Sequence, residues 1–196
     1  MIVCYIIDLN NEKYKIFFQL TKWGELLCVI YSIVSLLVVF KAKLNYCRIN
    51  QNATKLEWLS AVLMEMATAL SFLITLLYYT ILKPKWLYFS IQLHLVSSIL
   101  MVLNLVIVEV EFNFLRTWCL LAVFSLFYVA VNFSYWYTTG KLVYDAMDWS
   151  NNLQFCTILT IAVPLAVMPL VTGLGWVIYR IRMLLFGILI KKKIMP

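Results

Sequence analysis

The stretch YFSIQLHLVSSILMVLNLVIV, residues 88–108, decides the fold because it is long and apolar enough to cross a lipid bilayer. A transmembrane helix needs about 20 mostly apolar residues, since each residue adds about 1.5 Å along the helix axis. Runs that meet this requirement lie at 17–40, 58–82, 86–108, 116–137 and 153–178. The sequence therefore predicts an all-α, polytopic membrane bundle with five transmembrane helices.

The final apolar run, RIRMLLFGILIKKK at 180–193, is too short between its basic clusters to cross a bilayer alone. It fits an interfacial helix or a continuation of the last span, and it would make six spans if it crossed. The connections between the apolar runs are short. We therefore expect residues 1–196 to form one integral membrane domain that ends in a basic tail at 180–196.

The composition agrees with a membrane protein and argues against a nucleic-acid-binding one. Hydrophobic residues make up 64% of the chain and charged residues 13%, and the mean hydropathy is +0.91. The 16 Lys and Arg residues outnumber the 9 Asp and Glu residues, but they collect in the loop 41–55 and the tail 180–193. That distribution is typical of membrane orientation. With five spans, ten of the 16 basic residues share the face of the C-terminus, which predicts a cytoplasmic C-terminus.

The cysteines and the single histidine indicate no metal or cofactor. The five cysteines are scattered and no pair has metal-ligand spacing, so we interpret them as small hydrophobic residues. We expect membrane lipids as partners, other membrane subunits as an alternative, and no nucleic acid. The endoplasmic reticulum, the plasma membrane and the mitochondrial inner membrane all fit these features.

Three ionisable residues lie within the predicted spans: Glu25, Glu65 and His94. Each costs roughly 2.5–3.5 kcal/mol at the centre of a membrane helix, so each needs a partner, a cavity or a function. For Glu65 we expect a structural hydrogen bond across the bundle. Glu25 lies three residues after Lys22, which predicts a local ion pair near the membrane surface.

His94 and Thr21 are predicted to lie in the same half of the bilayer. The first and third spans start on the same face, with Thr21 about 6 Å and His94 about 12 Å below it at 1.5 Å per residue. The loop that carries Tyr144 and Asp148 opens onto this face. A hydroxyl and an imidazole arranged in this way fit a nucleophile and its base. The alternative is a pair of hydrogen-bonded packing residues.

Other chemistries have weaker support in the sequence. No G-x-S-x-G motif occurs, and one histidine without nearby cysteines or paired carboxylates is not a ligand set for a metal. Glu25, Glu65 and His94 could together relay a proton, as in a transporter. The chain lacks the inverted repeats and paired broken helices of such proteins.

Several segments together resemble the rolling-stone-like and androgen-induced membrane protein superfamily. They are KYKIFFQLTKWGELL at 13–27, LEWLSAVLMEMATALSFLITLLYYTIL at 56–82, the histidine span, and FSYWYTTGKLVYDAMDWSNN at 133–152. The resemblance covers residues 13 to about 178. Its most specific parts are Thr-Lys-Trp-Gly at 21–24 and TGKLVYDAMDW at 139–149.

The resemblance implies an intramembrane hydrolase of fatty acid esters of hydroxy fatty acids, with Thr21 as the nucleophile and His94 as the general base. The rolling-stone branch is associated instead with muscle cell fusion. Relatives typically carry an Asn three residues after the histidine and a Glu ten residues after it, where this chain has Ser97 and Asn104. Candidate supporting residues are Glu25, Asn104, Tyr144 and Asp148.

Two functions therefore remain open at the level of the sequence. The first is hydrolysis of a lipid ester by Thr21 and His94. The second is a non-catalytic supernumerary or assembly subunit of a larger membrane complex, for example a respiratory one, on the same fold.

Overall fold

The structure is a computed structural model. It describes residues 19–44, 54–80, 92–108, 111–144 and 147–194. Within these residues every regular element is a helix, which confirms the all-α class. There are five helices in chain order, and their bounds are α1 Leu20–Leu44, α2 Lys55–Thr80, α3 Gln92–Val96 plus Ser97–Ile107, α4 Phe114–Thr139, and α5 Leu153–Ala162 plus Val163–Val167 plus Met168–Ile194.

Four of these helices are long and apolar enough to cross a membrane. They contain the segments Leu20–Lys41, Lys55–Thr80, Phe114–Thr139 and Leu153–Phe186. The described part of α3 is shorter, with an apolar segment at His94–Ile107. Some parts of the predicted segments lie outside the described residues. They are the starts of two spans at 17–18 and 86–91, the end of another at 81–82, and the last two residues of the basic tail.

The run at 180–193 continues the last helix, which was one of the two predicted alternatives. The segment Met168–Ile194 is helical throughout, so α5 extends well beyond the predicted span at 153–178. Arg180 and Arg182 therefore lie on a helix rather than in a loop. Arg182 is buried, and its Nη1 donates to the carbonyls of Leu105 (3.3 Å) and Val108 at the end of α3.

α2 is the central helix of the bundle and packs against α1, α3, α4 and α5. In its most apolar segment 56% of the residues are buried, against 17% in α1, 22% in α4 and 28% in α5. Small side chains on α2, among them Ala67 and Ala69, allow neighbouring helices to approach closely. From α1, Gly24 packs so close to Ile74 that a Cβ atom there would overlap it.

Glu65 on α2 forms the structural hydrogen bonds across the bundle that the sequence predicts. Its fully buried carboxylate accepts from the Asn113 backbone N–H (2.9 Å) and the Thr117 hydroxyl (2.6 Å). It also pairs with the Arg116 guanidinium, with Nη2 at 2.7 Å and Nε at 3.3 Å. This cluster fixes the start of α4 to the middle of α2.

The loop between α4 and α5 is held against the helices at two points. Trp149 is buried and its Nε1 donates to Oδ1 of Asn132 on α4 at 3.3 Å. The hydroxyl of Tyr144 accepts from the backbone N–H of Leu20 at 2.9 Å. The second contact brings the loop to the first turn of α1, where Thr21 lies.

Candidate functional site

An apolar cavity of about 100 Å³ lies inside the bundle and is lined by all five helices and the α4–α5 loop. Thr21, His94 and Tyr144 line it together, so three of the predicted site residues meet at one place. Most of the remaining wall is aliphatic or aromatic, as in the contributions of Leu73 and Phe124. The cavity is therefore an apolar space that a few polar groups adjoin.

Two π-helical turns border this cavity. One is Gln92–Val96, which carries His94, and the other is Val163–Val167 in α5, which carries Pro164. At each turn a backbone carbonyl accepts a hydrogen bond from a side chain of another helix. The Thr75 hydroxyl donates to the His94 carbonyl, and the Trp118 Nε1 donates to the Pro164 carbonyl at 2.9 Å. Single π turns in α-helices are frequent at functional sites. Here both turns shape the same cavity.

The imidazole of His94 stacks on an aromatic ring. Its ring lies 3.8 Å from the ring of Tyr78 between centroids, with an angle of 17° between the planes. The residue is only 7% exposed. Nδ1 is buried and has no hydrogen-bond partner within the described part of the chain. A buried polar nitrogen without a partner is uncommon, which marks this ring as a functional candidate.

Thr21 and Tyr144 meet at the first turn of α1. Thr21 is half-buried and lines the cavity. It follows Leu20, whose backbone N–H donates a hydrogen bond to the Tyr144 hydroxyl. Burial raises the pKa of the Tyr144 phenol, and hydrogen bonding to Leu20, Tyr128 and Thr21 opposes that rise. The phenol therefore stays protonated at neutral pH and remains a hydrogen-bond donor next to the threonine.

A second, smaller cavity of about 30 Å³ is also lined by Thr21 and His94. Its wall is richer in polar groups and includes Glu25, Ser71 and Ser97. Glu25 pairs with Lys22, with Oε2 at 3.4 Å from Nζ, as the spacing predicts. Both side chains are less than 10% exposed, so the pair is buried within the bundle. Thr21 and His94 thus line both cavities, of which the smaller has the larger share of polar wall.

Two of the predicted supporting residues lie elsewhere. Asn104 is near the end of α3, where its Nδ2 donates to the Tyr31 hydroxyl, and it lines neither cavity. Asp148 accepts from the backbone N–H groups of Ser150 (2.9 Å) and Asn151 (3.0 Å) in the loop. These local hydrogen bonds, first among them those from Asn151, lower the pKa of Asp148.

The proton-relay alternative is not supported by the positions of its three residues. Glu65 is bound to Arg116 and lines neither of the cavities that Glu25 and His94 line. The contacts of the described residues therefore place Glu65 in the architecture of the bundle rather than in the site.

Sequence reasoning missed Tyr78 and Tyr128 as parts of the site. Tyr78 is in the Tyr-Tyr pair at the end of α2, and its position sixteen residues before His94 gives no local periodicity that links them. Tyr128 lines the apolar cavity from the middle of α4. An aromatic residue in a membrane helix looks like ordinary packing until the neighbouring helix is known.

Among the described residues no group of three or more His, Cys, Asp and Glu side chains is placed to hold a metal ion. The site therefore consists of a hydroxyl, an imidazole and a phenol around an apolar space, with a buried carboxylate behind them. Comparisons of the chain with protein-family models, with curated proteins and with solved structures find no match.

Proposed function

We propose that this multi-pass membrane protein is an intramembrane hydrolase of lipid esters, with Thr21 as the nucleophile and His94 as the general base. One observation carries the proposal: both side chains line the same apolar cavity. The resemblance to the rolling-stone-like and androgen-induced superfamily assigns the same two residues these roles. The two arguments are independent, because one rests on the sequence motifs and the other on the cavity.

The proposed reaction has two steps. In the first, Oγ1 of Thr21 attacks the ester carbonyl carbon while His94 accepts the hydroxyl proton. The bond between that carbon and the alkoxy oxygen then breaks, and His94 returns the proton to the leaving alcohol. In the second step water attacks the acyl-threonine, with His94 again accepting a proton. The carboxylic acid leaves, and the proton returns to Thr21.

Tyr144 supplies the group that the negative oxygen of such a reaction needs. Charge develops on the carbonyl oxygen during attack, and a fixed hydrogen-bond donor stabilises it. The Tyr144 phenol, which lines the cavity with Thr21 and His94, is protonated at neutral pH and can donate to that oxygen. The aliphatic wall of the cavity would hold the acyl chain away from water.

We also infer five membrane spans, with α3 as the third. The 23 residues of the predicted span 86–108 meet the length of about 20 that a crossing needs. The common cavity at the first turns of α1 and α3 supports a parallel arrangement of these two helices, as five spans require.

The nucleophile is tested by replacing Thr21 with valine, which keeps the shape and removes the hydroxyl. We expect hydrolysis of a long-chain chromogenic ester by the purified protein in nanodiscs to fall by roughly 10³-fold or more. Thr21→Ser retains the hydroxyl and should keep most of the activity.

Thr157→Val is the matched control, because Thr157 is exposed on α5 and, within the described residues, its hydroxyl donates only to the Leu153 carbonyl. Normal turnover in Thr21→Val would contradict the proposal. A wild-type protein that hydrolyses no long-chain ester, and that co-purifies with other subunits at fixed stoichiometry, would favour the non-catalytic alternative.

A further inference from the structure

The smaller cavity, which His94 and Glu25 both line, has no role in the two-step reaction. We propose that it holds one water molecule that links Nδ1 of His94 to the carboxylate of Glu25, so that Glu25 is a positioning residue that fixes the imidazole tautomer. This inference rests on the proposed function, because it explains how His94 would be held ready as a base.

The size and the lining of this cavity suit one water molecule. A cavity needs about 10–15 Å³ to hold a water, and this one measures about 30 Å³. A buried water also needs two to four polar partners, to which this wall contributes the side chains of Thr21, Glu25, Ser71, His94 and Ser97.

His94 provides the reason for a water at this place. Its Nδ1 atom is buried and has no partner among the described residues, although the ring is fixed by its stack on Tyr78. Leaving a buried nitrogen without a hydrogen bond is unfavourable. A water in the adjoining cavity satisfies it without any movement of the helices.

Glu25 determines the direction of the hydrogen bonds. Lys22 Nζ lies 3.4 Å from Oε2 of Glu25, so the two side chains form a buried ion pair. An ionised carboxylate only accepts, so the water donates to Glu25 and its oxygen accepts from Nδ1–H. The proton of the neutral imidazole is thereby held on Nδ1. The lone pair is left on Nε2, where a base for Thr21 needs it.

The proposed water also accounts for Ser97, which stands where the resembled relatives typically carry an Asn. A histidine base needs a group that fixes its tautomer, and in this chain that group comes from α1 rather than from α3. Ser97 is small, which leaves room for the water between the two helices. A larger residue at this position would fill the space.

Because His94 is the only histidine, ¹⁵N-histidine labelling gives the NMR signals of one imidazole without assignment. The spectra are recorded in nanodiscs at about pH 8.5, above the usual histidine pKa of about 6.5. We expect the wild-type proton on Nδ1. In Glu25→Gln the ratio of Nδ1–H to Nε2–H should fall at least about threefold, the effect of one weakened hydrogen bond.

Ser97→Val is the second variant, since it fills the cavity and leaves the Lys22–Glu25 pair unchanged. It should shift the tautomer in the same direction. Glu111→Gln is the matched control, because Glu111 is exposed and lines neither cavity. A wild-type proton on Nε2, or unchanged spectra in both variants, would overturn the inference. No ester is present, so this result is independent of whether the protein hydrolyses one.

Discussion

Replacing His94 with glutamine is expected to reduce ester hydrolysis by about 10²–10⁴-fold, the usual contribution of a general base. Glutamine can fill most of the space and keep a polar group against Tyr78. It cannot accept the Thr21 proton at neutral pH and return it to the leaving alcohol. The bundle should still fold, because the imidazole makes no side-chain hydrogen bond to another described residue that would be lost.

The rate is measured with the long-chain ester in nanodiscs, and added imidazole provides the control for misfolding. In His94→Ala the apolar cavity extends into the space of the ring, so free imidazole can enter and accept the proton. We expect imidazole to restore part of the rate in His94→Ala and none in Thr21→Val. Activity in His94→Gln within about threefold of wild type would contradict a role as a base.

Replacing Glu65 with alanine is expected to lower the free energy of unfolding by about 3–5 kcal/mol. The carboxylate is fully buried and accepts hydrogen bonds from Asn113, Arg116 and Thr117. Its removal leaves the Asn113 N–H and the Arg116 cation without this acceptor, whereas the Thr117 hydroxyl can still donate to the Asn113 carbonyl at 2.7 Å. Arg116 is 27% exposed and recovers some solvation, so the lower end of the range applies.

Reversible unfolding in mixed micelles measures this change. Glu65→Gln keeps an acceptor oxygen and should lose less stability than Glu65→Ala. Glu111→Ala is the matched control, since it removes an exposed carboxylate and should change stability by less than about 0.5 kcal/mol. Equal stability of Glu65→Ala and Glu111→Ala would show that the α2–α4 cluster does not stabilise the bundle.

The helices were predictable because the membrane sets their length. Four of the predicted spans coincide with helices that are long and apolar enough to cross a membrane. The first and last residues of these helices differ from the predicted ones mainly next to the loops. The extension of α5 was left open, because a short run between basic clusters fits either an interfacial or a continuous helix. That α2 is the central helix was not foreseen, since all five runs are similarly apolar and composition does not rank them.

Thr21 and His94 line the same cavity, and depth along the predicted spans gave only the shared half of the bilayer. The expected depths of about 6 and 12 Å predict that half whatever the order of the helices, but not that α1 and α3 lie close together. The partners of the ionisable groups were predictable only when they were local. Glu25 finds Lys22 three residues away, whereas Glu65 finds Arg116 on another helix, 51 positions along the chain.

Side-chain orientation set the limit of the sequence prediction. Asn104 has the right residue type for a supporting role, but it lies near the end of α3 and its side chain donates to Tyr31 on α1. The stack of Tyr78 on His94 and the two π turns depend on how helices pack, which a hydropathy pattern does not encode.

The central claim is tested most directly by trapping the acyl-enzyme. The protein is mixed with an ester that deacylates slowly, quenched in acid, and mapped by mass spectrometry of its peptides. We expect the mass of one acyl group on Thr21, and no such mass in Thr21→Val. Hydrolysis that proceeds with the acyl group on another residue, or with Thr21 never modified, would contradict the account.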